Sequence, residues 1–417
     1  MSIEQQVNDW IQDAYRQGAS DLHFEPDKSD KVRVRMRIDG QLRSVDTVPN
    51  YRKIITRLRI MAELDLNEKD LPQDGRIDFD KFGKGCPGLD LRMSSLPCLG
   101  GDKVVLRLID SKRLNLTLDQ LGFSQRMLKV YQPLVDSPHG LILHVGPTGS
   151  GKTTSLYACL QTLKKRDINV QTVEDPVEFD VFGVTQTPVN LEQGLTFPKV
   201  LRALLRQDPD VILVGEIRDA ATAEIATEAA MTGHLVLSTL HTNDAVGTVV
   251  RLRDMGIAPF CLAYALRCVV SQRFVRKLCD KCARTIQPPE SVVRLTGTRR
   301  PIYQAKGCAS CSRTGHKGRI PLFEFMPNSP ALRTAVYGHV TPDSLAEVAA
   351  KNGLISLWDD GLDKVWQGLT SLEEVVRVVK GARDVIRMSP KKAPAPQQKA
   401  APRQPPPPSA QRPRARH

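Results

Sequence analysis

The chain has 417 residues, of which 41% are hydrophobic, and a formal net charge of +13. It is long enough for two or three domains, and because no run of about 18 uncharged apolar residues occurs, we expect no membrane-spanning helix. Its first residues lack the basic and apolar segments of a signal peptide, and nine cysteines without an export signal favour reduced thiols in a cytoplasm.

The beginning of the chain has the pattern of a small α+β domain. Residues 3–17 have apolar side chains at helical spacing, which predicts an amphipathic helix. Residues 31–38 alternate between apolar and polar side chains, as a half-exposed strand does, and Asp39-Gly40 after them predicts a hairpin turn. Residues 104–109 are typical of a further strand.

Strands and helices alternate in the middle of the chain, which predicts a parallel sheet and an α/β fold. The predicted strands are residues 141–145, 169–173, 211–214 and 235–239. A cysteine-bearing insert follows at 276–325, and then helical segments that end in residues 371–388.

A complete phosphate-loop pattern, G-x-x-x-x-G-K-[ST], lies directly after the first of these strands. A helix is predicted at residues 154–163, so the strand–loop–helix context that the motif requires is present. In such a loop Lys152 reaches the β- and γ-phosphates, and the Thr153 hydroxyl can bind Mg²⁺. The predicted ATP-binding residues are Gly146, Pro147, Thr148, Gly149, Ser150, Gly151, Lys152, Thr153 and Thr154.

Three predicted strands end in groups that suit phosphate chemistry. Glu216 follows residues 211–214 in the place of the usual Walker B aspartate, where it can bind Mg²⁺ through water or orient the attacking water. The alternative for Glu216 is a helix-capping role. Glu174 follows the second strand, and His241 follows the fourth, where it could sense the γ-phosphate or a neighbouring subunit.

Four cysteines form two Cys-x-x-Cys pairs separated by 25 residues, a pattern typical of a closed structural zinc site. The predicted zinc ligands are Cys279, Cys282, Cys308 and Cys311. The alternative is four reduced thiols without metal.

Taken together, the motifs resemble the secretion-superfamily ATPases of type II secretion and type IV pilus assembly. In chain order, residues 146–154, 173–178, 214–219 and 239–242 are similar to the Walker A, Asp, Walker B and His boxes of that family. Residues 19–26, 71–77 and 90–97 match its amino-terminal motifs. The resemblance covers roughly residues 5 to 388.

The resemblance implies a homo-hexameric ring of subunits, each with a PAS-like amino-terminal domain and a RecA-like motor domain. Closure of the first domain over ATP would bring Arg76 and Arg92 to the phosphates, and Arg202 and Arg206 are similarly placed arginines of the motor domain. Because Arg202 and Arg206 are four residues apart, a helix would present both on one face.

The resemblance also implies a cytoplasmic protein, peripherally associated with an inner membrane, that acts on a platform protein there. Assembly-type members usually carry extra amino-terminal residues that dock on a membrane partner, whereas this sequence begins almost directly at the PAS-like domain. We therefore expect docking through the remaining surface, the basic tail or another subunit.

Two other functions stay open. A RecA-like nucleic-acid motor would suit the basic charge, but the chain is only 5% aromatic, and residues 390–417 alone contribute +7. The other alternative is a nucleotide-binding regulator that hardly turns over. We expect no nucleic-acid partner.

The sequence thus predicts six parts and the cofactors ATP, Mg²⁺ and structural Zn²⁺. The parts are a PAS-like domain at 1–110, a connector at 111–140, a RecA-like core at 141–275, the tetracysteine insert at 276–325, a helical part at 326–389 and a Pro-rich basic tail at 390–417. The tail has nine prolines and no acid, so we expect it to be disordered, and it serves either as a solubilising segment or as a contact to anionic lipid or nucleic acid.

Overall fold

A computed structural model of the protein describes residues 2–27, 29–110 and 116–379. Within these ranges the strands form a six-stranded, a seven-stranded and a two-stranded sheet. The tail predicted at 390–417 lies outside the described residues, as do residues 111–115 of the predicted connector.

The six-stranded sheet is antiparallel throughout, in the order β3-β2-β1-β6-β5-β4. Its strands are β1 Asp21–Pro26, β2 Lys31–Ile38, β3 Gln41–Pro49, β4 Gln73–Asp78, β5 Leu89–Cys98 and β6 Gly101–Asp110. Strand β2 buries every second side chain, as its alternation predicts, because one face of the sheet packs on a core. Asp39 and Gly40 have φ angles of 52° and 81°, the left-handed conformation that a tight hairpin turn requires, so the predicted hairpin is confirmed.

Two helices, α1 Ile3–Gln17 and α2 Tyr51–Met61, contribute to the core of this sheet. The Ser2 hydroxyl accepts a hydrogen bond from the backbone N–H of Gln5 at the start of α1, and Gly18 ends the helix in the left-handed conformation. Trp10 of α1 meets Phe24 of β1 edge to face, with ring centroids 5.9 Å apart. The predicted amphipathic helix is therefore confirmed.

The seven-stranded sheet has the order β15-β12-β7-β11-β10-β8-β9, and every pairing in it is parallel except that of β12 with β15. Its strands are β7 Gly140–Val145, β8 Val170–Glu174, β9 Thr185–Pro188, β10 Val211–Val214, β11 Leu235–Leu240, β12 Leu266–Leu278 and β15 His316–Pro327. The four strands predicted from the sequence are β7, β8, β10 and β11, and all four are confirmed.

Helices cover both faces of this sheet. They are α3 Gln125–Val135, α4 Lys152–Leu163, α5 Phe197–Leu204, α6 Ala220–Met231, α7 Ala245–Asp254 and α8 Pro259–Ala265. Leu141 and Leu143 of β7 pack in a core with α5 to α8, whereas Ile142 between them packs with α3 and α4 on the opposite face. Strand β7 is buried along its whole length because apolar layers enclose both of its faces.

The strand order decides where the predicted site residues lie. Strand β11 separates β7 from β10, and β8 follows on the other side of β10. These four strands are parallel, so their carboxyl ends meet at one edge of the sheet. The phosphate-loop pattern, Glu174, Glu216 and His241 all follow these ends, so the fold brings them to the same edge.

The cysteine-bearing part and the last helices complete the described chain. Strands β13 Arg284–Ile286 and β14 Ile302–Gln304 form the small sheet, with helix α9 Glu290–Thr296 between them. The last helices are α10 Pro330–Tyr337, α11 Pro342–Lys351, α12 Leu357–Trp366 and α13 Leu372–Val379. Helix α13 confirms the beginning of the helix predicted at 371–388, and its remainder lies outside the described residues. No helix of the described ranges is both long enough and apolar enough to cross a membrane.

Candidate functional site

The loop from Gly146 to Gly151 connects β7 to α4 and is packed against β12. Gly146 and Gly151 have φ angles of 142° and 91°. A Cβ atom on Gly146 would lie 2.6 Å from the carbonyl oxygen of Gln272, and one on Gly151 would lie 2.7 Å from the Gln272 side-chain nitrogen. Both positions therefore require glycine for space as well as for backbone conformation.

Lys152 is buried at the first position of α4. Its Nζ donates hydrogen bonds to the carbonyl oxygens of Gly146, at 2.8 Å, and Pro147, at 3.3 Å, so its ammonium group lies against the loop. Burial lowers the pKa of Lys152, the negative charge of Glu216 opposes this lowering, and Arg273 adds to it. The lysine and Glu216 are therefore coupled electrostatically across the sheet edge.

The remaining loop residues divide into exposed and buried ones. Pro147, Thr148, Gly149 and Thr153 are exposed, and Thr154 is half-buried. Ser150 is buried, and its hydroxyl has no hydrogen-bond partner among the described residues. The loop thus combines an open outer side with a polar atom that a bound group can satisfy.

Glu216 stands just after β10 and is the centre of a charged group. Its carboxylate forms an ion pair with Arg218, and its Oε2 lies 3.5 Å from Nε2 of His241, which follows β11. Arg218 also lies 3.3 Å from Asp175, so it joins the ends of β8 and β10. The structure therefore brings Glu216 and His241 together, with Arg218 as an additional partner.

Glu174, at the end of β8, is placed differently from Glu216. It is only 3% exposed, and its carboxylate accepts hydrogen bonds from Tyr157 of α4, from Thr172 and, at 3.0 Å, from Gln186 of β9. Burial and the neighbouring Glu174 both raise the pKa of the Tyr157 hydroxyl, which stays a donor. In this arrangement Glu174 connects α4, β8 and β9.

The two amino-terminal arginines lie side by side, because Arg76 of β4 is the cross-strand partner of Arg92 of β5. Arg76 forms an ion pair with Asp90 at 2.6 Å. Arg92 reaches the other sheet, where its Nη2 lies 2.9 Å from Glu178 in the segment after β8. Burial raises the pKa of Glu178, and the charge of Arg92 opposes that rise. Arg92 is therefore a direct link between the two sheets.

The helical interpretation is confirmed for Arg202, which lies in α5, and is wrong for Arg206. Helix α5 ends at Leu204 with Leu205 as its C-cap, so Arg206 lies beyond the helix. Both side chains are exposed, and an Arg206 Nη1 donates to the carbonyl oxygen of Arg202 at 2.8 Å. Asp208 and Pro209, which follow shortly after Leu205 in the sequence, do not continue a helix.

Sequence reasoning missed two arginines near these groups. Arg107 of β6 is the cross-strand partner of Arg92, and its side chain is 63% exposed. Arg273 of β12 adjoins the loop, because a Cβ on Gly146 would lie 2.9 Å from its Nη1. Period-two alternation in β6 could have indicated that Arg107 shares a sheet face with Arg92, but only the pairing of β12 with β7 reveals Arg273.

The four predicted zinc ligands converge. The sulfur atoms of Cys279, Cys282, Cys308 and Cys311 all lie within 4.8 Å of one another. Three of the sulfur–sulfur distances are 3.8 Å, and a tetrahedral site with zinc–sulfur bonds of about 2.3 Å has edges of about 3.8 Å. Backbone N–H groups of Cys308 and Gly315 each donate to the Cys311 sulfur at 3.2 Å. The residues therefore fit a closed four-thiolate metal site.

Comparisons with known proteins agree with this geometry. The type II secretion system ATPase E of Vibrio cholerae is 44% identical over 381 residues, which are 90% of this chain and 75% of that protein. The type IV pilus assembly ATPase PilB of Pseudomonas aeruginosa is 44% identical, with 90% and 67% covered. PilB of Thermus thermophilus is 43% identical over 89% of this chain, which spans only 42% of that relative.

Solved structures show the same fold. The pilus retraction motor PilT with bound ADP has a TM-score of 0.61 at 24% identity, with 91% of this chain and 99% of that chain covered. The ATPase DotB of Legionella pneumophila has a TM-score of 0.64 at 19% identity, with 89% and 94% covered. The sequence model of the family described as Type II/IV secretion system protein matches residues 1–377. The chain therefore belongs to the type II/IV secretion system protein family, among relatives named as ATPases of type II secretion and type IV pilus assembly, as its motifs predict.

Proposed function

We propose that this chain hydrolyses ATP as a motor for the assembly of a pilus or a pseudopilus. The names of its relatives support the activity, and the site supplies groups that suit phosphoryl transfer. One edge of the seven-stranded sheet carries both the glycine-rich loop and Glu216. Arg92 of the six-stranded sheet forms an ion pair with Glu178, in the segment that follows β8. This arrangement is the observation that carries the proposal. A motor needs such a contact, because the chemistry at the nucleotide must be coupled to movement of a second body.

Nucleotide binding is assigned to the loop. Residues 146–154 would surround the phosphates, with Lys152 opposite the terminal ones and the Ser150 hydroxyl as a further donor. Thr153 and Glu216 would bind Mg²⁺, which supplies charge neutralisation for the transferred phosphoryl group. Glu216 would orient the attacking water, His241 would position Glu216, and the buried Glu174 would position α4 through Tyr157.

The arginines are proposed to stabilise charge at the phosphates when the two sheets approach each other. Arg76 and Arg92 would come from the amino-terminal sheet, which we propose to be PAS-like. Arg202 and Arg206 are exposed and form no ion pair within the described ranges, so they would serve from the motor domain of the same or an adjacent subunit.

The domain division stays a proposal. It comprises a PAS-like part at 1–110, a connector at 111–140, a RecA-like core at 141–275, the insert at 276–325, a helical part at 326–389 and a tail at 390–417. Strands β12 and β15 cross residues 275 and 325, so the insert would be continuous with the edge of the core sheet.

We further propose that zinc in the four-cysteine site stabilises the insert. We also propose that six copies of the chain form a ring, and that this ring acts on a platform protein at the cytoplasmic side of an inner membrane. The closed set of four thiolates supports a structural role for zinc, since it leaves no position for a substrate. The first sheet carries a row of cross-strand arginines, Arg76, Arg92 and Arg107, of which the two outer ones are exposed, and this row supports a subunit contact.

Replacing Glu216 with glutamine tests the function. The amide cannot accept a proton or bind Mg²⁺ as the carboxylate does, so we expect kcat for ATP to fall by about 100-fold or more with little change in nucleotide affinity. Glu224→Gln on the exposed side of α6 is the matched control and should retain full turnover. Negligible turnover by the unaltered protein would instead favour a nucleotide-binding regulator, and a rate that rises steeply with DNA would favour a nucleic-acid motor.

Removing the link between the sheets is expected to impair turnover without loss of nucleotide binding. Arg92→Ala should lower kcat by about ten-fold or more, because one of several arginines at the phosphates is lost. Arg33→Ala is the matched control, since Arg33 is an ion-paired arginine of the same sheet whose partner is Glu25. Steady-state ATPase rates are measured for both variants. Equal rates for Arg92→Ala and Arg33→Ala would show that Arg92 has no specific role in hydrolysis.

A further inference from the structure

A buried cluster of polar side chains joins α3, β7 and α4, and the proposed chemistry does not use it. Tyr131 of α3, His144 of β7 and Cys159 of α4 are all fully buried. The Tyr131 hydroxyl lies 2.6 Å from Nε2 of His144 and 3.1 Å from Sγ of Cys159. Because polar groups so far from water are costly unless they bond to one another, these contacts are specific features of the core.

The two partners of the hydroxyl stand on either side of the phosphate loop. His144 is two residues before Gly146, where the loop begins. Cys159 belongs to the helix whose first residue is Lys152, directly after the loop. One hydroxyl group therefore connects the strand that enters the loop to the helix that leaves it.

Aromatic packing holds the Tyr131 ring in place apart from its hydroxyl. The ring centroid of Phe123 lies 5.1 Å from that of Tyr131, and Phe325 of β15 meets Tyr131 edge to face at 6.0 Å. The His144 ring also meets it edge to face, at 5.8 Å. Contacts between these rings persist when only the oxygen is removed, so the hydroxyl can be tested separately from the packing.

Burial decides the protonation of the cluster. It lowers the pKa of His144 to about 3 and raises the pKa of Cys159 to about 12, so both side chains are neutral at neutral pH. Nδ1 of His144 has no hydrogen-bond partner among the described residues. A buried donor without an acceptor is rarer than an acceptor without a donor, which favours the proton on Nε2. His144 then donates to the Tyr131 oxygen, and Tyr131 donates to the Cys159 sulfur.

We propose that Tyr131 is a positioning residue for the phosphate loop, because its hydroxyl holds β7 and α4 at the spacing at which the loop accepts a nucleotide. The proposal rests on the proposed nucleotide site at residues 146–154. A loop that is fixed at both ends loses less conformational freedom when it closes around phosphates, so the hydroxyl improves binding and not the chemical step. The effect should therefore be the same for ADP and for ATP.

Replacing Tyr131 with phenylalanine removes the hydroxyl and keeps the ring. We expect the KM for ATP and the dissociation constant of a fluorescent ADP analogue to rise about five-fold, as the loss of one hydrogen bond predicts, with kcat nearly unchanged. Tyr51→Phe is the matched control, because the buried Tyr51 donates to the carbonyl oxygen of Asp102 in β6 at 2.9 Å. The control should lose thermal stability without any loss of nucleotide affinity.

A double variant separates positioning from packing. Tyr131→Phe with His144→Leu replaces the polar pair by apolar side chains, so thermal stability should largely return because no unpaired imidazole remains. Nucleotide affinity should stay about five-fold weaker, since β7 and α4 are still not linked through the hydroxyl. Recovery of affinity together with stability would overturn the proposal, as would unchanged affinity in Tyr131→Phe. If Tyr131→Phe alone does not fold, the double variant is compared directly with the unaltered protein.

Binding and turnover are measured on the same preparations, at a temperature below the unfolding transition of each variant. Nucleotide binding without turnover by the unaltered protein would refute the motor and leave the comparison of affinities valid. Equal affinities of the unaltered protein and the double variant, with normal turnover, would refute the role of Tyr131 alone.

Discussion

Lys152→Ala should abolish ATP turnover, with a loss of at least about 100-fold, and should weaken nucleotide binding as well. The ammonium group is the one cation inside the loop, where it lies 2.8 Å from the Gly146 carbonyl oxygen. Its charge acts in a partly dehydrated position, where it is worth more than at an exposed surface. Burial already lowers its pKa, so the protein maintains this cation against a desolvation cost.

The control for this prediction is Lys165→Ala, an exposed lysine just beyond α4. Fluorescent-nucleotide titration and steady-state hydrolysis should separate the two variants clearly. Thermal unfolding establishes that the loop variant is folded. Unchanged turnover in a folded Lys152→Ala protein would show that hydrolysis occurs elsewhere.

Cys279→Ser should release zinc and strongly destabilise the insert. Three thiolates and a hydroxyl bind zinc far more weakly than four thiolates. The segment that follows β12 from Cys279 onward depends on this closure, because the small sheet in it has only two short strands. We expect the free energy of unfolding to fall by about 3 kcal/mol or more.

Cys98→Ser is the control, because Cys98 is exposed and outside the cluster. Elemental analysis should give one zinc per chain for the unaltered and control proteins and much less for Cys279→Ser. A chelator should lower the melting temperature of the first two more than that of the third. Absence of zinc from the unaltered protein, purified without chelator, would leave the cluster as reduced thiols.

The sequence pattern was sufficient for four of the seven strands of the large sheet and for the residues that follow them. Residues 211–214 are apolar throughout, and residues 141–145 are apolar except for His144, because helices cover both faces of their strands, and such runs are recognisable without a structure. The phosphate loop and Glu216 follow those runs directly, so their common location at one sheet edge followed from parallel pairing alone.

Contacts between distant segments were not predictable in this way. The hydroxyl of Tyr131 lies 2.6 Å from Nε2 of His144, which is fully buried in β7, yet the sequence of β7 does not indicate a partner on α3. The pair Arg92–Glu178 likewise depends on how two sheets pack, which no local pattern encodes. The position of Arg206 was predicted wrongly because α5 ends at Leu204, two residues before it, and a sequence pattern does not fix the end of a helix to within one or two residues.

The central idea is that the nucleotide at the edge of the seven-stranded sheet moves the six-stranded sheet, and its most direct test is a distance between these two parts of the protein. Spin labels on the exposed Cys98 at the end of β5 and on Tyr337→Cys of α10, in a Cys261→Ser background, allow a pulsed electron resonance measurement. The account predicts different distance distributions with ADP and with a non-hydrolysable ATP analogue, and a loss of this difference in Lys152→Ala. Identical distributions in the two nucleotides, with binding of both demonstrated, would contradict it.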